Sequence, residues 1–150
     1  MTDETQASTL SVLSPDIRLA DLPCLGAEIP GAGGIFGGIA PGPMGGSYEL
    51  CALIVGPEAD GRLNWQSAMD FAAGLDIDGH TDFSLPTRSE QAILFGSVRS
   101  AFSSSWYWSC EQRAESAGYA WVQDFGDGFQ DYGHKANEFR ARAVRRLIIR

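Results

Sequence analysis

The chain has 150 residues, a formal net charge of −8 and a pI near 4.6. That length supports one domain with a core, and that charge excludes general binding to nucleic acid or to an acidic membrane surface. No apolar run reaches the ~18 residues of a membrane span, and residues 1–7 are polar and acidic, so synthesis in the cytoplasm without a secretory leader or membrane insertion is expected.

Residues 1–15 are polar. Residues 16–25 hold Ile17, Leu19 and Leu22 between prolines, as a short helical turn or an extended arm. Residues 26–46 contain nine glycines and three prolines, yet also Ile29, Ile35, Phe36, Ile39 and Met44. That is too apolar for a solvated linker. Two readings stay open: a strand pair completing the domain, or an arm docked on a neighbouring subunit. No Gly-Lys-Ser/Thr follows the glycines, so the stretch is not a phosphate loop.

Residues 47–56 read as a buried strand and 57–61 as a turn. Asn64 caps a helix running to about Leu75, with Trp65, Ala68, Met69 and Ala72 at helical spacing. Residues 76–82 form a polar loop. Asp76, Asp78 and Asp82 invite a calcium reading, but the EF-hand spacing is missing and a solvated turn is the simpler expectation. Thr87-x-x-Glu90 is a capping box opening a second helix through Phe95, followed by a loop over 96–105. Aromatic runs then alternate with glycines, the punctuation of successive hairpins. Residues 119–125 form one strand, Asp127-Gly128 a primed turn, 129–132 the returning strand and 139–149 the last one. Trp108, Trp121 and Phe125 are expected in the core, while Phe129 and Tyr132 fit either core or surface. Residues 139–150 hold five arginines and no acid. They suit a strand whose arginines pair with Asp and Glu elsewhere. Strand, two helices and a run of strands give an α+β domain with a twisted antiparallel sheet.

Little here suits catalysis. Cys24, Cys51 and Cys110 are odd in number and lack C-x-x-C spacing, which argues against a disulfide framework or zinc. Cys51 reads as a small core hydrophobe. His80 and His134 fall in separate segments, and no Gly-x-Ser-x-Gly or His-Glu-x-x-His occurs. No enzyme, cofactor or metal is expected. The late strands instead offer rigid aromatics beside short polar groups, which suits recognition. The candidate ligand-binding residues are Asp127, Phe129, Asp131, Tyr132 and His134.

The stretch "YWSC…AWVQDFGDGFQDYGHK…FRARAVRRL", with upstream Asn64-Trp65 and Leu85-Pro86-Thr87-Arg88-Ser89-Glu90, resembles the family named after the C-terminal domain of the Lcl collagen-like adhesin. The likeness runs over roughly residues 46–149. It implies a C-type-lectin-like fold, here residues 47–150, preceded by a Gly/Pro-rich arm over 1–46. Cys110 stands where that family usually has serine. The calcium-site motifs Glu-Pro-Asn and Trp-Asn-Asp of calcium-dependent lectins are missing. The same fold serves phage receptor-binding proteins, so the resemblance implies a phage or prophage tail-fibre or tail-tip component. Such a component would bind a host-cell surface receptor, glycan or protein, and sit in the virion beside other tail subunits as a homo-oligomer. A structural virion protein and a bacterial adhesin domain are the alternatives.

Overall fold

The computed structural model describes residues 16–42 and 49–150. In chain order its elements are β1 (Asp16–Ile17), β2 (Glu28–Ile29), β3 (Gly34–Pro41), β4 (Leu50–Glu58), α1 (Trp65–Ala73), α2 (Arg88–Val98), β5 (Trp106–Gln112), β6 (Tyr119–Asp124), β7 (Gln130–His134) and β8 (Arg142–Ile149). Met44 and Tyr48, expected in the arm and the first strand, lie outside the described residues.

β4 is apolar and buried from Cys51 to Val55 because it sits mid-sheet with both faces covered. The sheet order is β1-β8-β4-β3-β2, antiparallel except for β1, which runs parallel to β8. Of the two readings of residues 26–46, the chain adopts the strand pair: β2 and β3 extend the sheet past β4. On one face Ile17, Ile29, Ala32 and Phe36 cover Ala52, Ile54 and Leu147. On the other, α2 lies so close to β3 that a Cβ at Gly37 would stand 2.7 Å from both Leu94 and Val55. Glycine there is a packing requirement, and it explains a composition that resembles a linker.

A second, three-stranded sheet runs β5-β6-β7. It joins the first where the Trp108 amide donates to the Arg140 carbonyl and the Arg140 amide to that of Trp106. α1 packs on one side of it, with Ala68 and Ala72 against Trp108, Ala120, Val122, Ala141 and Ala143. α2 packs on the other, with Leu94 and Val98 against Tyr107 and Phe125.

Both helices start where their caps dictate. The Asn64 side chain accepts from the Ser67 amide, and the Thr87–Glu90 box is closed in both directions. α2 continues to Val98 and a 3-10 turn over Arg99–Ala101 rather than ending at Phe95, because Val98 is itself buried. The terminal arginines are folded in: Arg140 pairs with Glu58, Arg145 with Asp82, Arg146 with Glu90 and Arg150 with Asp16. Arg142 bonds the carbonyls of Gly56 and Ala101. The three cysteines are free thiols, and burial pushes that of Cys51 up. Among the described residues no helix is long and apolar enough to cross a membrane.

Candidate functional site

β6 reads Tyr-Ala-Trp-Val-Gln-Asp, and strand alternation sends Ala120 and Val122 into the core. Tyr119, Trp121 and Gln123 therefore share the opposite face. By register Tyr119 faces His134 and Trp121 faces Tyr132. Beyond the N-terminal end of α2 this face is open, and four rings meet on it edge to face. His134 lies 5.3 Å from Tyr119, Tyr119 lies 5.8 Å from Tyr132, and Tyr132 lies 5.5 Å from Trp121. Such pairs hold their geometry at about 0.5–1.5 kcal/mol each beyond burial.

Two cations complete the face. Arg88, the first residue of α2, lays its guanidinium 3.5 Å over Trp121, and Arg113 sits 3.7 Å over Tyr132. Arg88 is held from several sides. Its amide donates to Glu111, its Nε to Gln130, and its carbonyl accepts from the Gln130 side chain. Gln130 also donates to Gln123, which donates to the Gln91 carbonyl inside α2. A glutamine chain on the same face thus ties β7, β6 and α2 together beside the rings. The His134 Nδ1 accepts the Ala136 amide, so the neutral ring carries its proton on Nε2.

Of the expected ligand-binding residues, the structure brings Tyr132 and His134 to this face. Asp131 and Phe129 go to the other side, because strand alternation separates neighbours and Phe129 packs against Trp106, at 6.3 Å. Asp127 is in the turn, its carboxylate accepting the Phe129 amide. Phe129 is 59% exposed and Tyr132 39%, which settles the open choice of core or surface for both. Trp108 and Phe125 are core as expected, but Trp121 is only half-buried and belongs to the outer face. The turn also differs from the expected primed pair, which needs two residues at positive φ. Only Gly128 has one here (φ 84°), because buried Phe125 pulls the chain off the strand first. The Gly128 amide then bonds the Asp124 carbonyl. A Cβ at Gly128 would meet the Phe95 ring at 2.8 Å. Gly128→Ala is therefore expected to cost about 1–2 kcal/mol from left-handed strain alone, read in a denaturant melt.

Arg88, Arg113 and Trp121 escape a reading by segment, whereas Tyr119 is legible as a late-strand aromatic suited to recognition. The arginines come from a helix start and a hairpin loop, and only the packing of α2 and of the β5–β6 loop against the β6–β7 pair gathers them with Tyr119 and Trp121. The usable signal was the alternation of Ala120 and Val122 with bulky neighbours.

The loop over 76–82 is solvated as expected, with Asp76, Asp78 and Asp82 exposed, but it is also tied down. The Asp82 carboxylate binds Arg145, Asp76 accepts the Gly79 amide, and buried His80 places Nε2 2.6 Å from the Gly31 carbonyl. Among the described residues no three His, Cys, Asp or Glu side chains are grouped to hold a metal ion.

Residues 47–145, which span β4 to the first half of β8, match the family model of the Lcl C-terminal domain. No curated protein matches the chain. The match covers well over half of the sequence, includes both capped helices and all three strands of the aromatic sheet, and agrees with the α+β architecture, so the chain belongs to the Lcl C-terminal domain family, a lectin-like domain of C-type-lectin-like fold.

Proposed function

We propose that this protein is a non-enzymatic recognition protein, a tail-fibre or tail-tip component of a phage or prophage. Its Trp121–Tyr132 face contacts a receptor on the host surface, and it stands in the virion beside other tail subunits as a homo-oligomer. One observation carries the reading: four interlocked rings and two guanidiniums, half-buried or exposed, share one face of a sheet whose glutamines brace them on that same face against α2. A site ordered before binding loses little entropy when a ligand arrives. Tyr132 and His134 are the outermost rings. Arg88 and Arg113 lay guanidiniums on this face while Glu115 pairs with Arg113 and Glu111 holds the Arg88 amide, so the face is mixed in charge and the receptor, glycan or protein, presents polar groups to it. Binding that engages the guanidiniums weakens as salt rises.

Tyr132→Ala is expected to reduce attachment to host cells or purified surface material about 30-fold, the equivalent of a hot spot of about 2 kcal/mol. Arg113→Ala should reduce it less and flatten its salt dependence. Melting temperature is the control for both. If the two folded variants attach like the parent, this face is not the receptor site, and a structural role in the virion becomes the better reading.

A further inference from the structure

The hairpin between β6 and β7 has a second side, and the Trp121–Tyr132 face does not use it. We infer that this side, centred on Phe129, is a separate contact surface for a segment of a partner protein in which a lysine or arginine adjoins an apolar side chain.

The apolar half of the argument is Phe129. It is the most exposed aromatic ring of the described residues, at 59%, and stands edge-on to half-buried Trp106. The two form one apolar step at the end of the sheet, past the part that α1 covers. Phe129 is also fixed in place. Its amide is held by Asp127, its carbonyl accepts from the Asp124 amide, and Gly128 beside it is seated on the Phe95 ring. A ring held rigidly outward is positioned to enter a partner's pocket.

The charged half is the pair of carboxylates flanking that ring. Asp127 precedes it, and Asp131 follows on the same side of β7, because alternation places residues 129 and 131 together. Both are exposed. Each spends one oxygen on a backbone amide, Asp127 on Phe129 and Asp131 on Tyr132, which orients the group. Among the described residues neither joins an ion pair, although Asp82 and Glu90 do. An apolar step between two oriented, unneutralised carboxylates complements an apolar side chain next to a cation. Acidic and nonpolar partners are disfavoured. On the opposite face Arg113 is matched by Glu115, so the carboxylates beside Phe129, which join no ion pair among the described residues, set this side apart.

The test is a ¹⁵N-NMR titration of the full chain with the blocked peptide Lys-Leu-Lys, against Glu-Leu-Glu as control. Lys-Leu-Lys is expected to shift the amides of residues 127–131 and Trp106 while leaving Tyr119, Trp121 and His134 in place. Phe129→Ala should weaken the response at least tenfold, as should Asp127→Asn with Asp131→Asn. Equal shifts from both peptides, shifts spread over the acidic surface at large, or no shift near Phe129 would each overturn the assignment. The titration of the parent protein decides even if Phe129→Ala fails to fold. A folded Tyr132→Ala variant should respond like the parent, which separates this surface from the receptor face.

Discussion

Replacing Trp108 by alanine is expected to destabilise the domain by about 3–5 kcal/mol, the usual range for an aromatic removed from a closed core. Trp108 is fully buried, its indole nitrogen donates to the Leu63 carbonyl at 2.7 Å, and Phe139 lies edge-on at 4.9 Å. Alanine would leave a cavity between α1 and the three-stranded sheet, and would remove the indole hydrogen bond to the Leu63 carbonyl, which keeps the Phe139 amide. Trp108→Phe separates the two losses, and should cost about 0.5–1.5 kcal/mol for the lost hydrogen bond, since the Leu63 carbonyl still accepts the Phe139 amide. Trp121→Ala should cost only about 1–2 kcal/mol, from partial burial and the lost contact with Arg88. Denaturant melts of the three variants give the comparison directly. Equal losses for Trp108→Ala and Trp121→Ala would mean that Trp121 is also core, and the aromatic face would lose its central ring.

That contrast marks where the sequence stops being readable. Trp108 and Trp121 sit in similar aromatic surroundings, and composition places both inside. What separates them is the partner on each face: Trp121 alternates with Ala120 and Val122, which fill the narrow space under α1. Local signals fared better. Asn64 and the Thr87–Glu90 box start their helices as written, because a cap is satisfied within one turn. The N-terminal strands were ambiguous because glycine gives no strand signal of its own. Gly37 is needed because Leu94 of α2 and Val55 of β4 both close on it, and the contact with α2 spans more than fifty residues. For the candidate site, Tyr132 and His134 are legible as candidate ligand residues, but the pattern leaves Tyr132 open between core and surface and puts His134 in a loop rather than in β7. The side on which each neighbour falls is not legible, since a pattern fixes alternation but not which face is covered.

The arginines of β8 show the same limit in charge. A run without acids implies distant partners without naming them. Arg145 and Arg146 are adjacent and so point to opposite faces, one reaching Asp82 near the N-terminal segment and the other Glu90 at the start of α2. One strand thereby fastens both layers of the domain, and the more deeply buried of the two pairs is expected to matter most.

Glu90→Gln is accordingly expected to destabilise the protein by about 3–5 kcal/mol at pH 7, as removing one partner from a buried ion pair does. Glu90 is 3% exposed and both its oxygens are used. Oε1 accepts from the Thr87 amide and Arg146 Nη2, at 2.9 and 2.6 Å, and Oε2 accepts from Arg146 Nε at 2.8 Å. Burial pushes its carboxyl up, but the hydrogen bonds and charge of Arg146 outweigh that and hold it below the ordinary value of 4.5. The sign for stability follows. A carboxyl with a folded pKa below its unfolded one stabilises fully above the unfolded value and loses that contribution as pH falls through the folded one. The gap between parent and Glu90→Gln should therefore be constant from pH 7 to about 5 and narrow below about 4. Asp82, held low by Arg145 against a similar push from burial, adds a smaller loss in the same window, because its carboxylate is half exposed to water. Adding Arg146→Met to Glu90→Gln should recover much of the stability by removing the stranded guanidinium. If the gap stayed the same from pH 7 to 3, and the double variant were no better than the single, the Glu90 charge would not be what holds α2 to β8. The capping bond to Thr87 and side-chain packing would then have to account for the loss.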